Sequence, residues 1–206
     1  MDIKILLSNI AETTEAFDVS GLSLNTKTLT KGDLFIALQG EKSHGAEYID
    51  SAIENGCIAV LIEGRDVDCG VPTIRIDNLK PHLSGLAQNF YTKAKDVDLI
   101  AVTGTNGKTS VSHYISQLLD FLEVNNGVIG TLGISKVEKK SINTTPDIFS
   151  IYSSLNEYSN QGIELAIIEA SSHALMQDRL KGLSFIQGIF TNLTQDHLDY
   201  HETMNN

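Results

Sequence analysis

The chain has 206 residues, 41% of them hydrophobic and only three of them proline, which excludes a disordered or collagen-like protein. Its net charge of −11 has no compensating basic block, and this argues against nucleic acid as a partner. No apolar run reaches the roughly 18 residues of a membrane span, and the N-terminus lacks the long apolar core of a signal peptide. These features indicate a cytoplasmic globular protein of one large or two small domains.

The first 94 residues are predicted to form a small α/β domain. Apolar runs predict strands at residues 32–38, 57–63 and 71–76, and apolar residues at helical spacing predict a helix at residues 46–55. A second helix is predicted to begin near Pro81, with Asp77 or Asn78 as its cap. Cys57 lies in an apolar run and is expected to be a buried thiol, since two cysteines make no disulfide framework. A polar connector at residues 92–98 ends the domain.

The stretch that organises the rest of the chain is Gly104-Thr-Asn-Gly-Lys-Thr109. It follows an apolar strand predicted at residues 99–102 and precedes a helix with apolar residues at helical spacing. This is the setting of a phosphate-binding loop, in which glycines let backbone amides approach an anion. Lys108 would place its charge near the β- and γ-phosphates, and Thr109 would offer a hydroxyl to Mg²⁺. The general pattern has glycine where this chain has Val102, and the alternative is a glycine turn before an ordinary helix.

Residues 95–206 are predicted to form a second domain. Its further strands are predicted at residues 127–132, 163–168 and 186–191. Strands that alternate with helices indicate a parallel sheet with helices on both faces, and ligands gather where such strands end. Three segments each follow a predicted strand: residues 104–109, called the phosphate loop below, Glu169 and residues 192–197. We therefore expect them to meet at one edge of the sheet.

Several polar residues after these strands are candidates for chemistry. Glu169 ends an apolar strand, where its carboxylate either holds Mg²⁺, directly or through water, or is simply solvated. Ser171 either caps the next helix or contacts a substrate. Arg179 suits the capture of a carboxylate or phosphate, or else forms a surface ion pair. His197 and His201 have a spacing compatible with zinc, but they lack a third ligand, so a place for His197 beside a Mg²⁺–phosphate site is favoured.

Three motifs carry a resemblance to a known family: Gly104-Thr-Asn-Gly-Lys-Thr109, Glu169-Ala-Ser-Ser-His-Ala-Leu175 and Phe190-Thr-Asn-Leu-Thr-Gln-Asp-His-Leu-Asp-Tyr-His201. Together they resemble the Mur ligases of peptidoglycan synthesis, and the last two resemble the tripeptide-forming branch. The first is shared with folylpolyglutamate synthetases. Gly32-Asp-Leu-Phe-Ile-Ala-Leu-Gln-Gly40, followed by His44-Gly45, looks like the uridine-binding domain of the same family. The resemblance implies an α/β fold, with a small N-terminal UDP-binding domain followed by an incomplete P-loop-type, parallel-sheet ATP-binding central domain.

The resemblance also implies ATP-dependent amide-bond formation. The γ-phosphate of ATP passes to a carboxylate of UDP-N-acetylmuramoyl-L-alanyl-D-glutamate, and the amine of meso-diaminopimelate or L-lysine attacks the acyl phosphate. The implied cofactors are ATP and Mg²⁺, and such chemistry depends on positioning and charge neutralisation. We expect a monomer whose partners are these substrates, with neither nucleic acid nor membrane. The alternatives are a binding module for UDP-sugar and nucleotide without turnover, and a folylpolyglutamate-synthetase-like ligase.

The resemblance assigns roles to the residues that match the family's motifs. It implies catalytic roles for Lys108, Glu169 and His197. It implies Mg²⁺ ligation by Thr109, Glu169 and His197. It implies ATP contacts from Gly104, Thr105, Asn106, Gly107, Lys108, Thr109 and Ser110. It implies contacts to the muramoyl–peptide part from Asn143, Thr144, Thr145, Ser171, Gln177 and Arg179. It implies contacts to the UDP end from Leu24, Thr26, Glu41, Lys42 and Ser43.

Two features depart from the family's pattern. Asn25-Thr-Lys27 stands where the family usually has Asp-Ser-Arg, so a lysine replaces the planar arginine fork. The family's central domain also continues beyond the point that matches Asn206, to a lysine that becomes carbamylated, and a C-terminal domain then binds the incoming amino acid. We therefore expect this chain to be the N-terminal part of a much longer ligase.

Overall fold

A computed structural model describes residues 1–40, 43–137 and 143–195. The chain separates into two compact units, Met1–Thr92 with Ile148–Tyr152, and Lys93–Asp147 with Ser153–Asn206. Both units contain helices and largely parallel sheets, so the predicted α/β class is confirmed. The assignment of domains to residues 1–94 and 95–206 stays a prediction. Every helix in the described part of the chain is too short or too polar to cross a membrane.

A four-stranded parallel sheet forms the centre of the first unit. Its strands, which neighbour one another in chain order, are β1 (Leu22–Ser23), β2 (Leu34–Ala37), β3 (Ala59–Glu63) and β4 (Thr73–Ile76). Its helices are α1 (Ile3–Leu6), α2 (Ile49–Glu54) and α3 (Leu83–Phe90), with 3-10 turns at Gly45–Tyr48 and Lys80–His82. All four residues of β2 are buried, as expected for a strand of a parallel sheet that is covered on both faces. Cys57 is a buried free thiol, as predicted.

The helical segment after β4 is capped differently from the prediction. Neither Asp77 nor Asn78 is its N-cap. The Glu63 side chain, at the end of β3, instead accepts hydrogen bonds from the N–H groups of Leu79 at 3.0 Å and Lys80 at 3.2 Å. A carboxylate from a neighbouring strand therefore satisfies the amides that a local cap would otherwise serve.

A five-stranded sheet forms the centre of the second unit. Its strands are β5 (Asp98–Thr103), β6 (Asn126–Gly130), β7 (Gly133–Ile134), β8 (Leu165–Glu169) and β9 (Phe185–Phe190). They lie in the order β7-β6-β8-β5-β9, and all pairs are parallel except the antiparallel hairpin of β6 with β7. The helices are α4 (Lys108–Phe121) and α6 (Ser172–Met176), with a 3-10 turn at Ala94–Asp96. A further helix, α5 (Ile148–Asn160), belongs to the first unit up to Tyr152 and to the second from Ser153.

The hairpin is the main difference from the predicted sheet. The strand predicted over residues 127–132 ends at Gly130, where the chain turns back through Thr131 into β7. The sheet is therefore mixed, with one short antiparallel strand at its edge. The turn also places Thr131 just beyond the end of β6, which lies beside β8.

The core of this unit lies between the sheet and α4. The buried side chains of Val102, Val128 and Ile167 come from three adjacent strands, and three apolar residues of α4 pack on them: Val111, Ile115 and Leu119. In the register of β5 and β8, Val102 pairs with Glu169. The segments that follow these two strands therefore leave the sheet side by side, as predicted.

Candidate active site

The phosphate loop joins β5 to α4, as predicted. Gly104 has a φ of +133° and Gly107, the N-cap of α4, has a φ of +86°, both in the region that favours glycine. A Cβ on Gly104 would also lie 2.1 Å from the Thr191 Oγ1 atom and 2.8 Å from the Asn192 carbonyl oxygen. Because Gly107 offers no side chain as a cap, the amides that open α4 are available to an anion.

The segment after β9 holds the phosphate loop through hydrogen bonds. The Asn106 N–H donates to Asn192 Oδ1 at 3.1 Å, and the Asn192 side-chain amide donates to the Asn106 carbonyl at 2.9 Å. The Thr191 hydroxyl donates to the same carbonyl at 2.7 Å. The Thr105 hydroxyl donates to the Thr194 carbonyl at 3.1 Å and accepts from its N–H at 2.9 Å. These contacts engage the Asn106 amide, so the amides that open α4 are the better-placed donors to a phosphate.

Three predicted site residues lie on the first turn of α4. The Lys108 ammonium donates to the carbonyls of Gly104 at 2.7 Å and Thr105 at 3.2 Å, so its charge lies against the phosphate loop. The Thr109 hydroxyl donates to Glu169 Oε2 at 2.9 Å. Ser110 follows as an exposed residue. The loop lysine and the strand-end carboxylate therefore belong to one constellation, linked through the first turn of this helix.

Glu169 is a fully buried carboxylate held by three donors. Its Oε2 atom accepts from the hydroxyls of Thr109 and Thr131, each at 2.9 Å, and its Oε1 atom accepts from the Thr131 N–H at 3.2 Å. With a relative exposure of 0%, it is not a solvated strand-end glutamate, and that alternative is wrong. Among the described residues no lysine or arginine forms an ion pair with it. A buried carboxylate of this kind is costly unless a cation balances it.

The donor set fits Mg²⁺. Carboxylate and hydroxyl oxygens are its preferred ligands, and Mg²⁺ is usually held by one or two carboxylates together with substrate phosphates. Gly130 leaves room for this arrangement, because a Cβ there would lie 2.1 Å from Glu169 Oε1. Within the described residues no three His, Cys, Asp or Glu side chains cluster as a metal site. The histidines of the zinc alternative, His197 and His201, lie outside the described residues.

Four of the predicted muramoyl–peptide residues form one hydrogen-bonded cluster. The Thr145 hydroxyl donates to the Glu169 carbonyl and lies 3.1 Å from Ser171 Oγ. Ser171 is the N-cap of α6, so the capping interpretation of this serine is confirmed. Arg179 donates to the Thr145 carbonyl at 2.7 Å and to Gln177 Oε1 at 3.0 and 2.6 Å. Within the described residues its guanidinium therefore bonds neutral oxygens and forms no surface ion pair.

Thr144, which precedes Thr145, contacts Thr131, the residue that donates two hydrogen bonds to the Glu169 carboxylate. Thr144 Oγ1 lies 3.2 Å from Thr131 Oγ1. Asn143 precedes Thr144 and is exposed. Five residues of the predicted muramoyl–peptide set thus lie within a few hydrogen bonds of the Glu169 main chain or side chain.

The residues predicted to hold the UDP end lie in the first unit. Leu24 and Thr26 follow β1, and Ser43 follows β2, its parallel neighbour, so both segments leave the same edge of that sheet. Ser43 Oγ lies 3.3 Å from the Tyr48 hydroxyl. Among the described residues no hydrogen bond joins Ser43 to the segment after β1. Glu41 and Lys42 lie outside the described residues, as does His197.

Sequence reasoning missed two of the threonines that organise this site. Thr131 donates twice to Glu169, and Thr191 bonds the phosphate loop. For Thr131 a signal was present, since Gly130 and Thr131 end an apolar run as the phosphate loop ends another. For Thr191 the only signal was its place directly after β9.

Comparison with known proteins places these features in a family. Residues 102–206 match the family described as the Mur ligase middle domain, and residues 18–91 match that described as the Mur ligase family, catalytic domain. A UDP-N-acetylmuramoyl-L-alanyl-D-glutamate–2,6-diaminopimelate ligase from Alkaliphilus oremlandii is 37% identical over 190 residues, which are 91% of this chain and 39% of that protein.

Two solved structures share the fold. A structure of a UDP-N-acetylmuramoyl-L-alanyl-D-glutamate–2,6-diaminopimelate ligase matches with a TM-score of 0.78 and 28% identity, over 100% of this chain and 42% of its own. The MurF ligase from Thermotoga maritima, solved in complex with ADP, matches with a TM-score of 0.61 and 23% identity, over 91% of this chain and 40% of its own. The chain thus spans about 40% of the length of these relatives. The middle-domain match alone covers half of the chain, and the chain therefore belongs to the Mur ligase family.

Proposed function

We propose that this chain forms the nucleotide- and UDP-substrate-binding part of an ATP-dependent ligase of peptidoglycan precursor synthesis. The ligase adds a diamino acid to UDP-N-acetylmuramoyl-L-alanyl-D-glutamate. One observation carries the proposal: the Thr109 hydroxyl lies 2.9 Å from the buried Glu169 carboxylate, next to the lysine of a phosphate loop. The names of the relatives favour 2,6-diaminopimelate as the diamino acid, with L-lysine as the alternative.

The nucleotide half of the reaction depends on positioning. The terminal phosphates of ATP bind against the amides that open α4, and Lys108 neutralises the phosphoryl group as it is transferred. Thr109 and Glu169, together with His197 as the resemblance implies, would hold Mg²⁺, which would supply charge neutralisation at the phosphates. A carboxylate oxygen of the dipeptide substrate attacks the γ-phosphorus, and ADP leaves.

The acceptor half uses the cluster around Thr145. Arg179 and the hydroxyls of Thr144 and Ser171 hold the peptide part of the substrate, with its carboxylate directed at the transferred phosphoryl group. The buried Thr145 hydroxyl supports them through its bonds to the Glu169 carbonyl and the Ser171 N–H. The amine of the diamino acid then attacks the acyl carbonyl, the tetrahedral intermediate collapses to the amide, and inorganic phosphate leaves. The proton released by the amine passes to solvent or to a base.

A second candidate applies to the 206-residue chain taken alone. It binds the UDP-linked dipeptide and the nucleotide without turnover. The observation that favours it is the span of the chain, about 40% of the length of its relatives. The two candidates differ in whether phosphate is released, so one experiment distinguishes them.

The experiment combines calorimetry with a phosphate assay. The chain is titrated with UDP-N-acetylmuramoyl-L-alanyl-D-glutamate and, in parallel, with tetrahydrofolate. We expect heat of binding from the UDP-linked dipeptide only, and no phosphate release when ATP, Mg²⁺ and diaminopimelate are added. Binding of folate in place of the dipeptide would reject the peptidoglycan assignment in favour of a folylpolyglutamate-synthetase-like ligase. Phosphate release that requires both substrates would reject the binding-only candidate and support ligation by the chain itself.

A further inference from the structure

Thr131 is an exposed residue whose backbone N–H and hydroxyl both donate hydrogen bonds to the buried Glu169 carboxylate. It lies in the turn between β6 and β7, outside the motifs that carry the resemblance in the sequence. Its N–H donates to Glu169 Oε1 at 3.2 Å and its hydroxyl to Glu169 Oε2 at 2.9 Å. One exposed residue therefore supplies two of the three hydrogen bonds that hold the Glu169 carboxylate, one from its backbone and one from its side chain.

The hydroxyl of Thr131 also faces the loop at residues 143–145. Its oxygen lies 3.2 Å from Thr144 Oγ1. Both contacts are oriented with the Thr131 hydroxyl as the donor, and because a hydroxyl has one proton, that proton serves either the Glu169 carboxylate or the Thr144 oxygen. The Thr131 hydroxyl therefore lies between Thr144 and Glu169, and the Thr109 hydroxyl donates to the same carboxylate oxygen of Glu169.

The backbone beside Thr131 is shaped for this contact. A Cβ on Gly130 would lie 2.1 Å from Glu169 Oε1 and 2.5 Å from Cδ, so the carboxylate occupies space that only glycine leaves open. Its φ is not in the left-handed region, so close approach, not backbone conformation, is the reason for glycine. Gly130 provides the space for the Glu169 carboxylate, and the two hydrogen bonds from Thr131 fix its orientation.

We propose that Thr131 is a positioning residue: it orients Glu169 for the metal–nucleotide complex and links that orientation to the loop that carries Thr144. This inference rests on the proposed function, because it concerns the metal that Glu169 and Thr109 are proposed to hold. Partners that orient a metal ligand are commonly worth 10- to 100-fold in metal affinity. Removing the hydroxyl should therefore weaken metal binding while leaving the fold intact.

The test measures Mn²⁺ affinity of the chain in the presence of ADP, by the electron paramagnetic resonance signal of unbound Mn²⁺, together with the thermal midpoint. Thr131→Val keeps the N–H and the shape but loses the hydroxyl, and we expect Mn²⁺ affinity to fall about 10- to 100-fold. Thr131→Ser restores the hydroxyl and should bind within about twofold of wild type on the same argument. The thermal midpoint should fall only as far as it does in the Thr30→Val control described below, because both variants lose one hydroxyl bond to a buried carboxylate.

A matched control is available in the first unit. Thr30 is also exposed, and its N–H and hydroxyl donate to the buried Asp33 carboxylate at 2.8 and 3.0 Å. Thr30→Val removes an equivalent contact remote in sequence from the phosphate loop and should leave Mn²⁺ affinity unchanged. An equal loss of affinity in this control would show a general effect and overturn the inference.

The link to Thr144 is tested by a double substitution. Thr144→Val should change Mn²⁺ affinity by less than Thr131→Val does, and it should add nothing in the Thr131→Val background. Additive losses of Mn²⁺ affinity in the double variant would reject the inference that Thr144 acts on Glu169 through Thr131. Wild-type affinity in Thr131→Val, or a defect in Thr131→Ser as large as in Thr131→Val, would overturn the positioning role. A wild-type chain that binds no Mn²⁺ with ADP would overturn the proposed function itself, and the inference with it.

Discussion

Gly130→Ala is the substitution that tests the arrangement around Glu169 most specifically. The added Cβ would meet the Glu169 side chain at 2.1 Å from Oε1, 2.5 Å from Cδ and 2.8 Å from Cγ. Because Cβ contacts shorter than 3.0 Å are essentially never observed, the carboxylate must retreat by about 1 Å. Glu169 is fully buried, so it cannot retreat into solvent.

The expected magnitude follows from what this movement breaks. Hydrogen bonds to a charged group contribute about 1.5–3 kcal/mol each, and the 3.2 Å bond from the Thr131 N–H is the longest of the three at this carboxylate. We expect the free energy of unfolding to fall by about 2 kcal/mol if that bond is lost. Displacement of a metal-orienting group by about 1 Å should lower the affinity for Mg²⁺–ATP by roughly 10- to 100-fold.

The assay is a titration with a fluorescent ATP analogue in the presence of Mg²⁺, combined with denaturant unfolding. Gly188→Ala is the matched control in the same sheet, because a Cβ there meets nothing within 4 Å. Gly127→Ala is the control for instability, because its Cβ would lie 2.5 Å from the buried Tyr158 ring. It should destabilise the fold by about 1–3 kcal/mol without changing nucleotide affinity. Wild-type affinity in Gly130→Ala, or an equal loss in Gly127→Ala, would refute the reasoning.

Three further predictions follow from the same contacts. Lys108→Ala should abolish detectable ATP binding in calorimetry and leave the affinity for the UDP-linked dipeptide nearly unchanged. Equal loss of both would contradict separate binding residues for the nucleotide and the dipeptide. Asn192→Ala removes both side-chain hydrogen bonds to the Asn106 backbone, at 3.1 and 2.9 Å. Nucleotide binding should weaken about tenfold, since two such bonds contribute roughly 0.5–1.5 kcal/mol each. Unchanged affinity would show that the phosphate loop keeps its conformation without these two bonds. Burial raises the pKa of Tyr158 to about 12, so the neutral phenol stabilises the fold below pH 10, and about 3 kcal/mol of stability is lost as the pH rises to about 12. Denaturant unfolding of Tyr158→Phe should lack that component of the pH dependence, and an identical pH profile would reject it.

The parts of the site that the sequence predicted are those specified locally. An apolar run followed by Gly104, Gly107 and Lys108 defines a strand, a turn with positive φ and a helix start within a dozen residues. Glu169 was predictable for a similar reason, because it ends a buried strand. Parallel pairing of β5 with β8 then brings the two strand ends together, as a general property of such sheets predicts.

The parts that the sequence did not predict depend on distant partners. Thr131 contacts a residue 38 positions away, and Asn106 bonds one 86 positions away. Both contacts require the strand order, which places β8 beside β6 and β9 beside β5. The prediction of Asp77 or Asn78 as the cap before α3 was wrong for the same reason. The Leu79 and Lys80 N–H groups donate instead to Glu63, a residue of the distant strand β3.

The roles of His197, Glu41 and Lys42 stay predictions from the resemblance, as do the ligand contacts of the other site residues. The hydrogen bonds around Glu169 show which side chains lie together and how the carboxylate is held. They support a metal–nucleotide site because the carboxylate is buried, has no ion pair among the described residues and meets the hydroxyl that a phosphate loop offers to Mg²⁺.

A crystal structure of this chain with ADP and Mg²⁺ tests that site most directly. We predict the β-phosphate against the amides that open α4, and the metal about 2.0–2.1 Å from Thr109 Oγ1, with the Glu169 carboxylate bound to it or to one of its waters. A nucleotide bound elsewhere in the chain, or a metal with no contact to either side chain, would contradict the assignment of this edge of the sheet as the catalytic centre.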